Sequence, residues 1–275
     1  MCLIAFAWNA HPDYRLIVGA NRDEWHDRPA APAAWWADFP QILAGRDLKA
    51  GGTWMGVTRT GRFGAITNFR DPSDKCSTAR SRGELVTAFL SGDATPSAFL
   101  LETKQHAHAY NGFNLVVGDR SSLAYFSSRD RAIQILEPGV YALSNHMLNE
   151  PWPKVTMAKS AMEALLQTEK PENVRPSSRQ TPLLPGEVLG MRRAIYESLS
   201  NKKIAPDSAL PDTGVGIAWE RILSPALIVT AKYGTRASTI LSMENNGHVS
   251  FEEHTRAADG TVGHIAAFSF ELLPV

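Results

Sequence analysis

Strand-like patterns occupy both ends of this 275-residue sequence, and helix-like patterns occupy its middle. Apolar runs over residues 3–8 and 15–20 flank the turn signal His11-Pro12-Asp13 and predict a first β-hairpin. Four more strands are predicted near the other end, over 226–231, 237–243, 248–254 and 264–270. Strands from opposite ends of a chain bury their apolar faces most simply in one sheet system. We therefore expect the two ends to meet there, with the helices packed outside.

The middle of the chain contains predicted helices over 82–90, from Pro96 onward, over 152–167 and over 186–199. A hairpin is predicted around Thr60-Gly61, with strands over 53–59 and 62–69, and short strands follow over 114–118, 123–127 and 140–143. The Pro-rich stretches 28–39 and 170–185 are interpreted as loops. No repeat or linker interrupts this order, so residues 1–275 are predicted to form a single α+β domain.

The charge balance excludes several classes of partner. Lys and Arg number 28 and so do Asp and Glu, which gives a formal net charge of zero. Nucleic-acid binding and electrostatic membrane anchoring both require a basic excess or cluster, so neither is expected. No apolar run approaches the roughly 18 residues of a membrane-spanning helix, and the apolar start over residues 2–8 is too short for a signal peptide. We expect a soluble, cytoplasmic protein without a transmembrane segment.

Metal and cofactor motifs are missing from the sequence. Cys2 and Cys76 are the only cysteines, and neither CxxC nor HExxH spacing occurs. The glycine-rich loops that bind nucleotides are missing as well. The sequence therefore predicts no metal site and no required cofactor, and it makes no prediction of the oligomeric state.

Cys2 is the residue with the most informative position. Methionine before a small residue such as cysteine is normally removed during maturation, and this would leave Cys2 with a thiol and a free α-amine. A thiolate is a strong nucleophile, and an amine with a pKa near 8 can serve as its base. The alternative interpretation of Cys2 is a small buried apolar residue at the start of a strand.

The polar run Asn21-Arg22-Asp23-Glu24 directly follows the second predicted strand. If the first hairpin turns between Pro12 and Asp13, Cys2 lies opposite Asp23, and opposed side chains share one face of the sheet. Asp23 could then hold the α-amine. Asn21 would share that face, and Arg22 would point away from it unless a bulge intervenes.

Three further residues could stabilise an oxyanion or hold a substrate. The second hairpin places Asn68 opposite Thr53, and Asn145 follows a predicted strand; the amide of either residue can donate to an oxyanion. Arg236 lies between two late strands, where it could bind a carboxylate or a phosphate. Cys76 lies in a polar loop and is interpreted as incidental.

Several of these segments occur together, in order, over almost the whole chain. They are Met1-Cys2-Leu3-Ile4, Ala20-Asn21-Arg22-Asp23-Glu24, Gly51-Gly52-Thr53-Trp54-Met55-Gly56, Thr67-Asn68-Phe69-Arg70, Leu143-Ser144-Asn145, Pro151-Trp152-Pro153-Lys154 and Tyr233-Gly234-Thr235-Arg236. Together they resemble the NRDE family, the Tango-two-like proteins of transport and Golgi organisation. This resemblance implies an N-terminal nucleophile (Ntn) hydrolase-like fold, a four-layer αββα sandwich.

More distantly, the sequence is similar to cysteine-type Ntn hydrolases such as bile salt hydrolases and penicillin V acylases. Their strand-end pattern Gly-Arg-Asn-x-Asp is matched here at Gly19, Asn21 and Asp23, but Ala20 replaces the arginine and Arg22 lies two positions later. The displaced arginine leaves the role of Arg22 undefined.

This resemblance also implies a mechanism: Cys2 attacks the carbonyl of a non-peptide amide, its own α-amine takes the thiol proton, and Asp23 orients that amine. Asn68 or Asn145 would stabilise the oxyanion. Asn21, Arg22 and Arg236 are the candidates for holding the substrate because of their places in the sequence, and the resemblance does not assign them that role.

Two other functions remain open at this point. The NRDE family has been associated with haem trafficking and with lipid and coenzyme A metabolism, so a carrier of haem, lipid or acyl-CoA is an alternative to an amidohydrolase. Seven Trp, eleven Phe and eight His would allow a haem slot, although aromatic residues usually form the core. The family name also implies a third possibility, a secretion or Golgi-organisation factor that acts by protein contact.

Overall fold

Two antiparallel β-sheets lie face to face at the centre of the protein in this computed structural model, which describes residues 2–73, 76–168 and 185–274. The strands of the first sheet are β1 (Cys2–Trp8), β2 (Tyr14–Trp25), β10 (Gly139–Leu143), β11 (Tyr233–Glu244), β12 (His248–Arg256) and β13 (Val262–Glu271). The strands of the second sheet are β3 (Ala30–Trp35), β4 (Ile42–Asp47), β5 (Met55–Thr58), β6 (Phe63–Asn68), β7 (Phe113–Gly118), β8 (Leu123–Ser127) and β9 (Ile133–Ile135).

The order of strands in the first sheet is β10-β1-β2-β11-β12-β13. The N-terminal hairpin therefore pairs directly with the C-terminal strands, which confirms that the two ends of the chain meet in one sheet. The second sheet runs β3-β4-β5-β6-β7-β8-β9 and is built from sequence neighbours.

Helices cover the outer face of each sheet. Their bounds are α1 (Gly83–Ser91), α2 (Pro96–His106), α3 (Pro153–Thr168), α4 (Pro185–Leu199) and α5 (Ile217–Leu223). Apolar residues of α1 and α2 pack on the second sheet, and those of α3 and α4 pack on the first. The layer order is thus helix, sheet, sheet, helix, which confirms the αββα sandwich.

Strand alternation explains how one sheet serves two cores. Successive side chains of a strand point to opposite faces, so Ile4 and Phe6 of β1 enter the core between the sheets. Leu3 and Ala5 enter the core beneath α3 and α4. Because β1 is buried on both faces, its sequence is a continuous apolar run instead of an alternating one.

Most predicted elements are confirmed, with small shifts at their ends, but two assignments are wrong. The stretch 28–39 contains β3, whose Ala and Pro composition gave no strand signal. Residues 226–231 form only an isolated bridge, between Val229 and Gly234. Residues 170–184 lie outside the described part of the chain, and Pro185 begins α4.

The register of both predicted hairpins differs from expectation by one residue. In the first hairpin Cys2 pairs with Arg22, not with Asp23. The turn is centred on Pro12, because the backbone N–H of Asn9 donates to the carbonyl of Arg15. In the second hairpin Met55 pairs with Ala65, so the predicted pairing of Thr53 with Asn68 is wrong as well.

No helix in the described ranges is both long and apolar enough to cross a membrane.

Gly52 fixes the loop before β5 against the start of α1. A Cβ atom added to Gly52 would lie 2.7 Å from the carbonyl carbon and oxygen of Gly83. Because both obstructing atoms are backbone, no rotamer change can relieve this contact. The close approach brings the loop and the helix together at one wall of the cavity described below.

We predict that Gly52→Ala lowers the free energy of unfolding by about 1–3 kcal/mol, the usual range for overpacking. The matched control is Gly190→Ala in α4, where an added Cβ meets nothing within 4 Å. There the better helix former is expected to stabilise by about 0.5–1 kcal/mol. Urea unfolding measures both variants, and a Gly52→Ala protein as stable as wild type would contradict the contact.

Candidate active site

A cavity of about 490 Å³ opens beside the first residue of β1. We call it the Cys2 cavity. Its walls come from both sheets, from the loop before β5 and from the start of α1. Cys2, Arg22, Asp23, Asn68 and Arg236 all contribute to its lining. The structure therefore brings together five of the seven residues that the sequence nominated.

Cys2 is held tightly at the start of its strand. Its side chain is buried, and its carbonyl oxygen accepts a hydrogen bond of 2.9 Å from Ser144 Oγ. Burial raises the pKa of the Cys2 thiol, whereas the Arg22 guanidinium and the backbone N–H of Asp23 act to lower it. The thiol is therefore protonated at neutral pH in the resting site, and its use as a nucleophile requires a base.

Asp23 lies beside Cys2 on the neighbouring strand, with its carboxylate fully buried. Thr235 Oγ1 donates a hydrogen bond of 2.7 Å to Asp23 Oδ1, and Lys154 Nζ lies 4.0 Å from Asp23 Oδ2. Burial raises the pKa of Asp23, and the Lys154 ammonium is the strongest influence that lowers it. The carboxylate thus depends on a cation that the sequence did not assign to the site.

Lys154 is as deeply buried as Asp23. It occupies the first turn of α3, and its side chain is 2% exposed. Burial lowers the pKa of Lys154 to about 8, against the opposing charge of Asp23. Lys154 belongs to the Pro-Trp-Pro-Lys segment that carries part of the family resemblance. That segment was the feature of the sequence that could have indicated this lysine as a site residue.

A second buried ion pair lies next to the first. Arg70 Nη1 contacts Glu220 Oε2 at 2.5 Å, with side-chain exposures of 4% and 2%. The guanidinium of Arg70 also stacks on the ring of Trp152, 4.5 Å from its centroid. Glu220 belongs to α5, where the sequence offered no sign of its role. We call Asp23, Lys154, Arg70 and Glu220 the buried charge group; its formal charges sum to zero.

The two asparagine amides have different places. Asn68 ends β6 and lines the Cys2 cavity. Asn145 is fully buried outside the lining, where its Nδ2 donates to the Asn68 carbonyl at 2.9 Å. Its own carbonyl accepts from the backbone N–H of Arg70 at 2.7 Å. The structure therefore places Asn68 in the cavity lining and Asn145 behind it, where the Asn145 amide supports the backbone of Asn68.

The predicted placement of Asn21 is wrong. Since Cys2 pairs with Arg22, Asn21 points to the opposite face of the sheet, toward α4. Its Nδ2 donates to the carbonyls of Leu199 and Ala226 at 2.8 and 2.7 Å, and its side chain is fully buried. Asn21 joins the sheet to its helical layer and does not reach the cavity.

The predicted orientation of Arg22 is wrong for the same reason. Arg22 shares the face of Cys2 and lines the cavity. Its Nη2 lies 3.8 Å from Glu24 Oε2, and its buried Nη1 has no hydrogen-bond partner among the described residues. A buried guanidinium nitrogen without an acceptor, beside the thiol, is suited to bind an anionic oxygen.

Arg236 lies in a β-bulge of β11, between Thr235 and Ala237. Its Nη1 donates to the carbonyls of Trp25, His26 and Arg28, at 2.8–3.2 Å. Arg236 therefore fixes the chain between β2 and β3 while its side chain contributes to the cavity wall.

The lining of the cavity is strongly basic although the whole chain is neutral. The basic residues in the lining are Arg22, Arg28, Arg46, Lys49, Arg80, Arg82, Arg236 and Arg256, and the acidic ones are Asp23, Glu24, Asp47 and Glu253. Eight positive charges against four create a local positive potential, which attracts anionic ligands.

Metal or haem ligands do not stand out in the cavity. Within the described ranges, no group of three or more His, Cys, Asp or Glu side chains is arranged to hold a metal ion. The described residues that line the cavity include neither histidine nor methionine, so only Cys2 and Cys76 offer sulfur.

The αββα layers are those of an Ntn hydrolase-like fold, and a buried cysteine opens β1 at the cavity. The sequence matches the family model "Transport and Golgi organisation 2" over residues 1–258. It is 36% identical over 272 residues to the "Transport and Golgi organization 2 homolog" of Mus musculus, with 93% of each chain covered. The Homo sapiens homologue is 36% identical over 273 residues, again with 93% of each chain covered. The chain belongs to the Transport and Golgi organisation 2 family.

Two solved structures have a related layout. One is a mutant of the conjugated bile acid hydrolase of Clostridium perfringens, with a TM-score of 0.40, 10% identity, and 98% of this chain and 97% of that chain covered. The other is an N-acylethanolamine-hydrolyzing acid amidase orthologue of Caenorhabditis elegans, with a TM-score of 0.39, 11% identity, and 87% and 92% covered. Scores this low carry no argument about residues or substrate, so the fold assignment rests on the layers described above.

The buried charge group generates a prediction about stability. Glu220→Ala removes the carboxylate that forms the short ion pair with the buried Arg70 guanidinium, and we expect it to lower the free energy of unfolding by about 3–5 kcal/mol. The matched control is the next residue of α5, Arg221, whose ion pair with Asp207 is about half exposed. Arg221→Ala is expected to change stability far less, because solvent screens this exposed pair. Equal losses in urea unfolding would contradict this description of the Arg70–Glu220 pair.

Proposed function

We propose that this protein is a cysteine-type Ntn amidohydrolase that cleaves a non-peptide C–N bond in a small amide with an acidic group. The observation that carries the proposal is the position of Cys2, at the head of β1 and in the wall of a basic cavity. A nucleophile, a buried carboxylate and an amide donor converge there in Cys2, Asp23 and Asn68. These are the parts that acyl transfer requires.

The reaction begins once Met1 has been removed and the α-amine of Cys2 is free. The neutral amine takes the thiol proton, and the thiolate adds to the amide carbonyl to give a tetrahedral oxyanion. Asn68 Nδ2, together with a backbone N–H, donates to that oxyanion. The α-ammonium then returns its proton to the leaving amine, the C–N bond breaks, and the acyl group remains as a thioester on Cys2.

Water completes the cycle. The α-amine takes a proton from the water, and the hydroxide adds to the thioester. Collapse of the intermediate breaks the C–S bond, and the α-ammonium returns its proton to the departing sulfur. The products are a carboxylic acid and the free thiol, so the net reaction consumes one amide and one water and yields one acid and one amine. Asp23 holds the amine in position in both halves of the cycle.

The charge of the cavity defines the kind of amide. Arg22 lies on the same face as Cys2, with its buried Nη1 available to an anionic oxygen. The excess of basic residues extends along the rest of the lining. An amide that carries a carboxylate or a phosphate complements this wall, whereas a cationic amide would be repelled.

The nucleophile is tested with Cys2→Ala in processed protein. We expect turnover of N-acyl amino acids to fall by at least about 1,000-fold, while substrate affinity stays within a few-fold, because the sulfur makes the bond and the cavity does the binding. The matched control is Cys76→Ala, which removes the other thiol of the lining and should retain wild-type turnover. If wild type hydrolyses no amide in a broad panel and instead binds haem or a lipid at micromolar affinity, the proposal fails in favour of a carrier.

Substrate charge is tested by varying salt. We expect kcat/KM for an N-acyl amino acid to fall as ionic strength rises, since ions screen the attraction between its carboxylate and the basic wall. The same amide with its carboxylate converted to a carboxamide should react more slowly at low salt and show little salt dependence. A carboxamide preferred over the carboxylate at low salt would contradict the assignment of an acidic substrate.

A further inference from the structure

Lys154 is a buried cation at the active site that the mechanism above does not use. Its side chain is 2% exposed, and its Nζ lies 4.0 Å from Asp23 Oδ2. Within the described part of the chain, the Nζ has no hydrogen-bond partner. A lysine that gives up hydration without gaining hydrogen bonds is costly to bury, so its position requires a reason.

The charges around Lys154 come from four separate elements. Asp23 on β2, Cys2 on β1 and Glu220 on α5 favour its protonated form, and Arg70 after β6 opposes it. With a pKa of about 8, Lys154 is mainly an ammonium at pH 7. Arg70 already has its own partner, since it forms the short ion pair with Glu220. Lys154 is therefore the cation with the largest influence on Asp23, and Arg70 has a weaker one.

The proposed chemistry creates a need for such a cation. The α-amine of Cys2 must be neutral to accept the thiol proton, so it cannot be a permanent counter-ion of Asp23. A fully buried carboxylate without a counter-ion would take up a proton and lose its ability to hold the ammonium that forms. A fixed cation on the other side of the carboxylate removes this conflict.

We propose that Lys154 is a positioning residue, the fixed counter-ion that keeps Asp23 ionised while the Cys2 α-amine alternates between amine and ammonium. This inference rests on the proposed function, because it assigns a role within that reaction. Lys154 contacts no reacting atom; it acts through Asp23 and through its charge on the site.

Removing the charge of Lys154 should change the pKa of the Cys2 thiol in a defined direction. Loss of a nearby cation raises the pKa of every neighbouring group, including the Cys2 thiol, whereas loss of a nearby anion lowers it. Lys154→Gln and Asp23→Asn should therefore shift the ionisation of the thiol in opposite directions. The double variant, which loses one charge of each sign, should return close to wild type.

The experiment measures the rate of Cys2 alkylation by iodoacetamide between pH 6 and 11, followed by mass spectrometry of the N-terminal peptide. All proteins carry Cys76→Ser, so that one thiol reacts, and Met1 is shown to be absent by intact mass. We expect Lys154→Gln to move the midpoint up by about one pH unit, which is about a tenfold loss of rate at pH 7. The matched control, Lys159→Gln, changes a lysine of the same helix whose side chain is 33% exposed and pairs with Glu163, and it should leave the midpoint unchanged.

An unchanged midpoint in folded Lys154→Gln, or the same direction of shift in Lys154→Gln and Asp23→Asn, would overturn the proposal. Circular dichroism checks that each variant is folded. If Lys154→Gln does not fold, the double variant Lys154→Met with Asp23→Asn, which has neither charge, is measured instead. An alkylation midpoint far from that of wild type in this double variant would overturn the proposal. Alkylation needs no substrate. Absence of amide hydrolysis by wild type would therefore refute the proposed function, whereas the alkylation profile alone decides the role of Lys154.

Discussion

The antiparallel pairing of β1 with β2 determines which side chains can meet at the active site. Because Cys2 lies directly opposite Arg22, the thiol and the guanidinium share the face that opens into the cavity. The same register turns Asn21 to the helical layer, where its amide links β2 to the ends of other segments. A slip of one residue would exchange these two sets of side chains between the cavity and the core. The register is therefore a condition for the chemistry.

Several buried charges are arranged around this pairing. Burying one ion without a partner costs several kcal/mol, and removing one member of a buried pair leaves that cost uncompensated. Here the charges of Asp23 and Lys154 balance, as do those of Arg70 and Glu220. The four residues lie on β2, α3, the segment after β6 and α5, so the electrostatic balance depends on all of these elements being in place. Such an arrangement lowers the stability of the fold, and the proposed role of Asp23 as an ionised carboxylate gives a reason for it.

The sequence predicts the outline of the fold well because strand and helix patterns are local. The apolar run of β1 and the proline at the start of α2 are sufficient to define those elements. Register and cross-chain contacts are not local. Whether Cys2 pairs with Asp23 or with Arg22 depends on where the turn near Pro12 is centred, to within a single residue. No sequence pattern specifies that position.

The site shows the same division. Cys2, Asp23 and Asn68 were identified from motifs that match their positions in the cavity. Lys154 appeared in the sequence only as part of the Pro-Trp-Pro-Lys motif, which did not indicate its role. Nothing in the sequence indicated Glu220, because its contact with Arg70 forms only when two segments 150 residues apart come together in the fold. β3 was not predicted, because its small residues and proline are not typical of a strand. It forms through backbone pairing with β4.

The proposed reaction requires a covalent acyl group on the sulfur of Cys2. Processed protein is mixed with an N-acyl amino acid panel, quenched in acid within milliseconds and analysed by intact mass and peptide mapping. We expect an acyl thioester on the N-terminal peptide that begins with Cys2, formed and lost during turnover and removed by hydroxylamine. Turnover without such an adduct, or an adduct on Cys76 alone, would contradict Cys2 as the nucleophile.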